Sequence, residues 1–272
     1  MKKCEHVTIF LYLVLIFTAT SAARCESAQL PPLPDAVRSA GMTEQIFFDD
    51  FDHLNLSGTR KGAQVPTWYN EVWHQKERSL DRYSVKDGVL HILSEPNGRD
   101  SSLTTVSRDG KAGKRFRFGY FEARMKWDDD PKTWAAFWLF SFTHMMGTDN
   151  NNWCEIDVIE SMRPKTFSGT AHDWKNFKTT YNPNNNHYLG PEFEPNQWHT
   201  YGTLFDRDKI TWFYDGKAIF STSTPLPCKE QELFLVLSSQ QHGIGPGAHP
   251  DPMQTYIQKS VYFDWVRVYS RP

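Results

Sequence analysis

The chain has 272 residues, a formal net charge of −2 at pH 7 and 15% aromatic residues, 10 of them Trp. The near-balanced charge excludes electrostatic attraction to nucleic acid. The length suits one large domain that buries enough apolar surface to fold without disulfides.

Taken in chain order, the first residues have the form of an export signal. Lys2 and Lys3 precede an apolar run from about Val7 to Phe17, and small residues follow as far as Ala23. The run is too short to span a bilayer of roughly 30 Å. Residues 1–23 are therefore expected to be a signal peptide, the mature protein secreted (extracellular or periplasmic), and no membrane contact retained after cleavage. Residues 24–43, with Pro-Pro-Leu-Pro at 31–34, show no sustained period and read as a leader or linker. The folded domain is expected over 44–272.

From there short β-rich runs alternate with turn signals. Strands are predicted at 45–51, 83–85 and 89–93, then at 118–127, 134–140, 155–160 and 167–174. Further strands are predicted at 198–205, 209–214, 233–237 and 261–269. Asp87-Gly88 and Asp215-Gly216 between alternating runs are hairpin turns. No segment carries twelve residues of helical period, so the fold class is all-β, a sandwich of two antiparallel sheets. Long connections at 143–152 and 181–195 flank the strand 155–160 and are read as walls of a cleft.

That strand lies in Trp153-Cys-Glu-Ile-Asp-Val-Ile-Glu160. Its acids interrupt an apolar run, so one face is buried and the other has need of water or a chemical purpose. Strict alternation places Glu155 and Asp157 together but turns Glu160 inward; a one-residue bulge at Val158-Ile159 returns it to the acidic face. Glu155 and Glu160 then stand roughly 13 Å apart along the backbone, and their side chains lean together. A retaining glycosidase holds two carboxyls about 5 Å apart, one attacking the anomeric carbon and one protonating the leaving oxygen. Glu155 is assigned as nucleophile, Glu160 as general acid/base and Asp157 as the group between them that tunes Glu155. Three neighbouring carboxyls do not all ionise cheaply, so Glu160 is expected to hold a proton while Glu155 is an anion. Trp153 shares the parity of Glu155, and its ring is expected to stack on the sugar being cleaved. His172, on the strand 167–174, is placed to bond Asp157 or a sugar hydroxyl. Trp134 and Trp138 are further candidates for substrate contact. Cys154 and Cys228 are read as small buried side chains, with a bridge between them as the alternative.

Glu155-Ile-Asp-Val-Ile-Glu160 resembles the active-site signature of glycoside hydrolase family 16, in the bulged form of its laminarinases, agarases and carrageenases. Gly-Tyr-Phe-Glu-Ala-Arg-Met-Lys (119–126), Ala-Phe-Trp-Leu (136–139), Ile-Thr-Trp-Phe-Tyr-Asp-Gly (210–216) and Phe-Asp-Trp-Val-Arg-Val-Tyr (263–269) resemble family blocks in the family's order. The resemblance implies a concanavalin A-like jelly roll and endo-action on a β-linked polysaccharide, with β-1,3- or β-1,3/1,4-glucan favoured. It implies no cofactor for catalysis, a structural calcium on Asp264 with the Gly88 carbonyl, and the polysaccharide as partner; the chain is expected to be a monomer. Residues 238–247 depart from the glucanase pattern, which leaves agar-type galactan or bacterial exopolysaccharide as alternatives. Transglycosylation and sugar binding without hydrolysis are the other readings of the same fold.

Overall fold

The computed structural model describes residues 30–57, 65–71, 79–95, 100–148, 152–163, 165–174, 179–180, 186–188, 194–241 and 258–272. Residues 1–29, which hold the expected signal peptide and Cys25, and most of 181–195 lie outside these. Leu33–Pro272 forms one compact unit. No helix among the described residues is long and apolar enough to cross a membrane.

The strands in chain order are β1 (Glu44–Asp49), β2 (Tyr83–Lys86), β3 (Val89–Leu93), β4 (Ser101–Thr104), β5 (Gly119–Trp127), β6 (Thr133–Ser141), β7 (Cys154–Arg163) and β8 (Thr166–Asp173). They continue as β9 (Thr179–Thr180), β10 (Asn186–Tyr188), β11 (His199–Phe205), β12 (Lys209–Tyr214), β13 (Lys217–Ser223), β14 (Leu233–Gln241) and β15 (Ser260–Ser270). Among the described residues, three short α-helices, α1 (Asp35–Ser39), α2 (Phe142–Met145) and α3 (Leu226–Glu230), and one 3-10 turn (Leu80–Arg82) are interspersed. One sheet runs β13-β12-β11-β5-β15-β3-β2 with β1 on β15; the other runs β10-β8-β7-β6-β14-β4 with β9 on β8. All strand pairs within these sheets are antiparallel, as expected for a jelly roll.

The two Asp-Gly pairs make their hairpins for a backbone reason. Asp87 and Gly88 have φ of 53° and 73°, and Asp215 and Gly216 have 45° and 73°. Consecutive positive φ is what a two-residue turn between right-twisted strands requires.

Alternation decides the core. Phe121, Ala123 and Met125 of β5 and Val266 and Val268 of β15 face Phe137 and Leu139 of β6, Ile156 and Ile159 of β7, and Leu235 and Leu237 of β14, all fully buried in one cluster. The opposite face of the second sheet is covered only in part. Phe140, Phe234 and Val236 project from it into a smaller apolar cluster with Val106, joined by Trp138, Phe142, Met145 and Trp153. The rest of that face carries the acids.

The structure corrects one boundary. Leu33–Met42, expected to be linker, packs on the outer side of the first sheet, where Val37 and Met42 are buried with Tyr120 and Phe213. Five helical residues are too few to show a period, so their apolar contacts could not be recognised as an element. Beneath them Arg267 Nε donates to Glu122 Oε2 at 2.6 Å, and Tyr120 Oη donates to Glu122 Oε1 at 2.8 Å.

Candidate active site

The acids of β7 reach one face through a register shift. On β6, Trp138 lies opposite Asp157 while its neighbour Phe137 lies opposite Ile159. On β8, Thr170 faces Asp157 and Ser168 faces Glu160, three residues against two. The extra residue at Val158-Ile159 lets both of these side chains enter the core while Glu155, Asp157 and Glu160 all point away from it. Asp157 is buried, and Glu155 and Glu160 are half-buried.

Each carboxyl has its own partner. Trp174 Nε1 donates to Glu155 Oε2 at 2.8 Å, and Trp134 Nε1 donates to Glu160 Oε1 at 3.0 Å. His172, directly opposite Glu155 in the ladder, holds Nε2 at 2.8 Å from Asp157 Oδ2. Its Nδ1 is buried and has no partner among the described residues. Burial raises the pKa of all three carboxyls. Glu160 rises to about 8, from burial first and the charge of Asp157 second, with His172 and the Trp134 N–H opposing. Burial also lifts adjacent Glu155 and Asp157 above the ordinary carboxylate range. Asp157 raises Glu155 further, and His172 and the Trp174 N–H draw it back.

Among the substrate candidates, Trp134 and Trp138 stand on β6 on the acidic face, with Trp138 Nε1 donating to Ser238 Oγ of β14 at 3.2 Å. Trp153 also carries contacts that its position on the strand does not reveal. Its ring is stacked on His144, with centroids 3.9 Å apart, and lies near-parallel to Trp174 at 6.0 Å, so it is engaged by neighbouring rings and half-buried. Parity put the ring on the correct side of the sheet but could not show what lies above it. Trp174 itself was overlooked, although its spacing of two from His172 carried the signal. Cys154 and Cys228, read first as separate buried side chains, form a disulfide that ties the start of β7 to α3.

Among the described residues, Glu155, Asp157 and His172 bring potential metal-ligating atoms within 4.8 Å of one another, but these are the acid cluster itself. The calcium set does not fit as arranged. The Asp264 carboxylate is ion-paired with Arg124, so a guanidinium already neutralises the charge that a calcium needs among its six to eight oxygens. Gly88 serves the β2–β3 turn.

Residues 69–233 match the family model of glycosyl hydrolases family 16. The chain belongs to this family. Family 16 relatives include an endo-1,3-1,4-beta-glycanase, EglC, of Rhizobium meliloti, 27% identical over 94% of this chain and 57% of its own length. A kappa-carrageenase of Pseudoalteromonas carrageenovora is 35% identical over 80% of this chain and 60% of its own length. The chain therefore spans only about three fifths of these two curated family 16 relatives. The endo-beta-1,3-glucanase of Pyrococcus furiosus shares the fold, with a TM-score of 0.62 at 20% identity over 83% of this chain and 94% of that one.

Proposed function

We propose that this chain is a retaining, endo-acting glycoside hydrolase that cleaves a β-linked polysaccharide, with β-1,3- or β-1,3/1,4-glucan favoured. The observation that carries it is the pair of glutamates set either side of buried Asp157 across the β7 bulge, each held by an indole N–H. Glu155 attacks the anomeric carbon as the bond to the leaving oxygen breaks, and Glu160 gives that oxygen its proton. Forming the glycosyl ester removes the charge on Glu155. Glu160 is then a base beside a neutral neighbour, takes a proton from water, and the hydroxide resolves the ester with net retention. Asp157, on the same strand and bonded to His172, keeps negative charge close to Glu160 and so favours its protonated form in the first step. Trp134 and Trp138 are the proposed aromatic contacts for the sugar chain.

The endo-1,3-1,4-beta-glycanase relative supports the glucan reading, and the kappa-carrageenase relative makes a galactan the second substrate to test. Export is proposed from the first 23 residues, and the Cys154–Cys228 disulfide supports it, because such bonds persist in oxidising compartments. The protein is proposed to act as a monomer.

The test is a reducing-end assay over laminarin, mixed-linkage glucan, agarose and carrageenan, with the anomer of the first product followed by NMR. Retention with loss of turnover in Glu155→Gln and Glu160→Gln is expected. Inversion, or turnover surviving both substitutions, would remove the assigned roles; binding without cleavage across the panel would leave a lectin.

A further inference from the structure

Four rings form a column that ends on the acids. His172 and Trp174 stack with centroids 4.8 Å apart and planes 4° from parallel. Trp174 stacks on Trp153 at 6.0 Å and 27°, and Trp153 on His144 at 3.9 Å and 28°. Beyond the last ring, His144 belongs to α2 and meets Phe140 edge-on at 5.4 Å, inside the apolar cluster that covers part of the sheet. The backbone reinforces the column, since Trp174 N donates to Trp153 O at 3.2 Å.

Trp153 and Trp174 are both half-buried and each is near-parallel to two other rings, which fixes their planes. What Trp174 does offer is its edge: Nε1 meets Glu155 Oε2 at 2.8 Å. An indole nitrogen donates and never accepts, so that oxygen has to be an acceptor, and the bond holds one face of the carboxyl while leaving Oε1 for attack. We infer that Trp174 is a positioning residue for the nucleophile, braced by the ring column His144–Trp153–Trp174–His172, and that α2 thereby bears on catalysis without touching substrate. This rests on the reading of Glu155 as nucleophile.

Trp174→Phe keeps a ring in the column and deletes the N–H. The expected result is a fall in kcat of roughly 10- to 100-fold, the scale of one hydrogen bond to a charged group, with KM within about twofold. Because the N–H favours the anion, its loss moves the acid limb of kcat/KM to higher pH, which a merely structural ring would not do. His144→Ala removes the far brace and is expected to move the same limb in the same direction, with a smaller fall in kcat. Should Trp174→Phe fail to fold, the His144→Ala limb decides. An unmoved acid limb and unchanged kcat in the variant that folds, while Glu155→Gln abolishes turnover, would overturn the inference and leave the site reading standing. Turnover surviving in Glu155→Gln would overturn the site reading itself.

Discussion

The indole nitrogen of Trp212 lies 2.8 Å from the backbone carbonyl oxygen of Asp157, although the two residues belong to facing sheets. Asp157 is the last residue before the bulge, where ladder pairing is interrupted and a buried carbonyl needs a partner from elsewhere. The approach is made possible by Gly169 on β8, where a Cβ would sit 2.3 Å from Trp212 Cδ1. Trp212→Phe retains the packing and strands that carbonyl, so a destabilisation of about 1–3 kcal/mol is expected. Turnover should fall as the bulge loosens. Equilibrium denaturation with parallel kinetics checks it; unchanged stability would mean that the bulge is held by its own strand pairs.

The acid cluster is expected to cost stability at neutral pH. The folded-state pKa of Glu160 is raised to about 8 from 4.5, so the folded chain binds a proton that the unfolded chain has released between those values. Its relative stabilisation is present below about pH 4.5 and is lost as pH rises through about 8. Glu160→Gln carries no such charge and keeps an acceptor for Trp134. It should raise the Tm at pH 7.5 by roughly 2–4 °C, on the order of 1 kcal/mol, with the gain vanishing near pH 4. A Tm difference that does not vary with pH would contradict this linkage.

The fold and the acid motif were legible because both are written in a period of two. The apolar alternation of β3, β5, β12 and β15 marks those strands nearly to the residue, and the conflict of parity at Glu160 called for the bulge that the β7 register contains. β4 and β13 were not legible. Ser101–Thr104 is buried with scarcely an apolar residue to signal it, and Lys217–Ser223 lies at a sheet edge with little buried. Parity also fails above the sheet: it orients Trp153 and Trp174 but says nothing of His144, which arrives from α2 to cover the outer ring. The disulfide is a three-dimensional fact of the same kind, since a separation of 74 residues leaves no local pattern.

Trp134 gives a second pH handle, opposite in place to Trp174. Its N–H at 3.0 Å lowers the pKa of Glu160 against the larger effect of burial. Trp134→Phe should therefore raise that pKa and extend the alkaline limb of kcat/KM to higher pH, since a general acid works only while it holds its proton. Loss of sugar stacking would raise KM as well, but KM alone would not move the limb. A pH–rate profile from pH 4 to 10 separates the two effects, and an alkaline limb that stays in place would detach Glu160 from it.

The Cys154–Cys228 bond closes a long loop and ends one residue before Glu155. Its surroundings make the attachment firm: Cys154 N donates to Ser141 Oγ at 2.7 Å, and the single Ser141 hydroxyl proton has two acceptors in reach, the Cys154 carbonyl at 3.0 Å and Gln231 Oε1. Gln231, just past α3, bonds Ser141 and Thr143 through Oε1 and the Asn152 carbonyl through Nε2. Loop-closure entropy for a span of this length amounts to about 4 kcal/mol as a ceiling. Reduction should therefore lower the Tm by up to roughly 10 °C. It should also lower turnover at temperatures well below the new Tm, because α3 and the segment 152–154 lose their shared anchor beside Glu155. Calorimetry and kinetics with and without dithiothreitol test this, with Cys154→Ala/Cys228→Ala as the control that reductant must leave unchanged. A wild-type chain whose Tm ignores reductant after full thiol exposure is verified by mass spectrometry would show that the bond adds nothing to the fold.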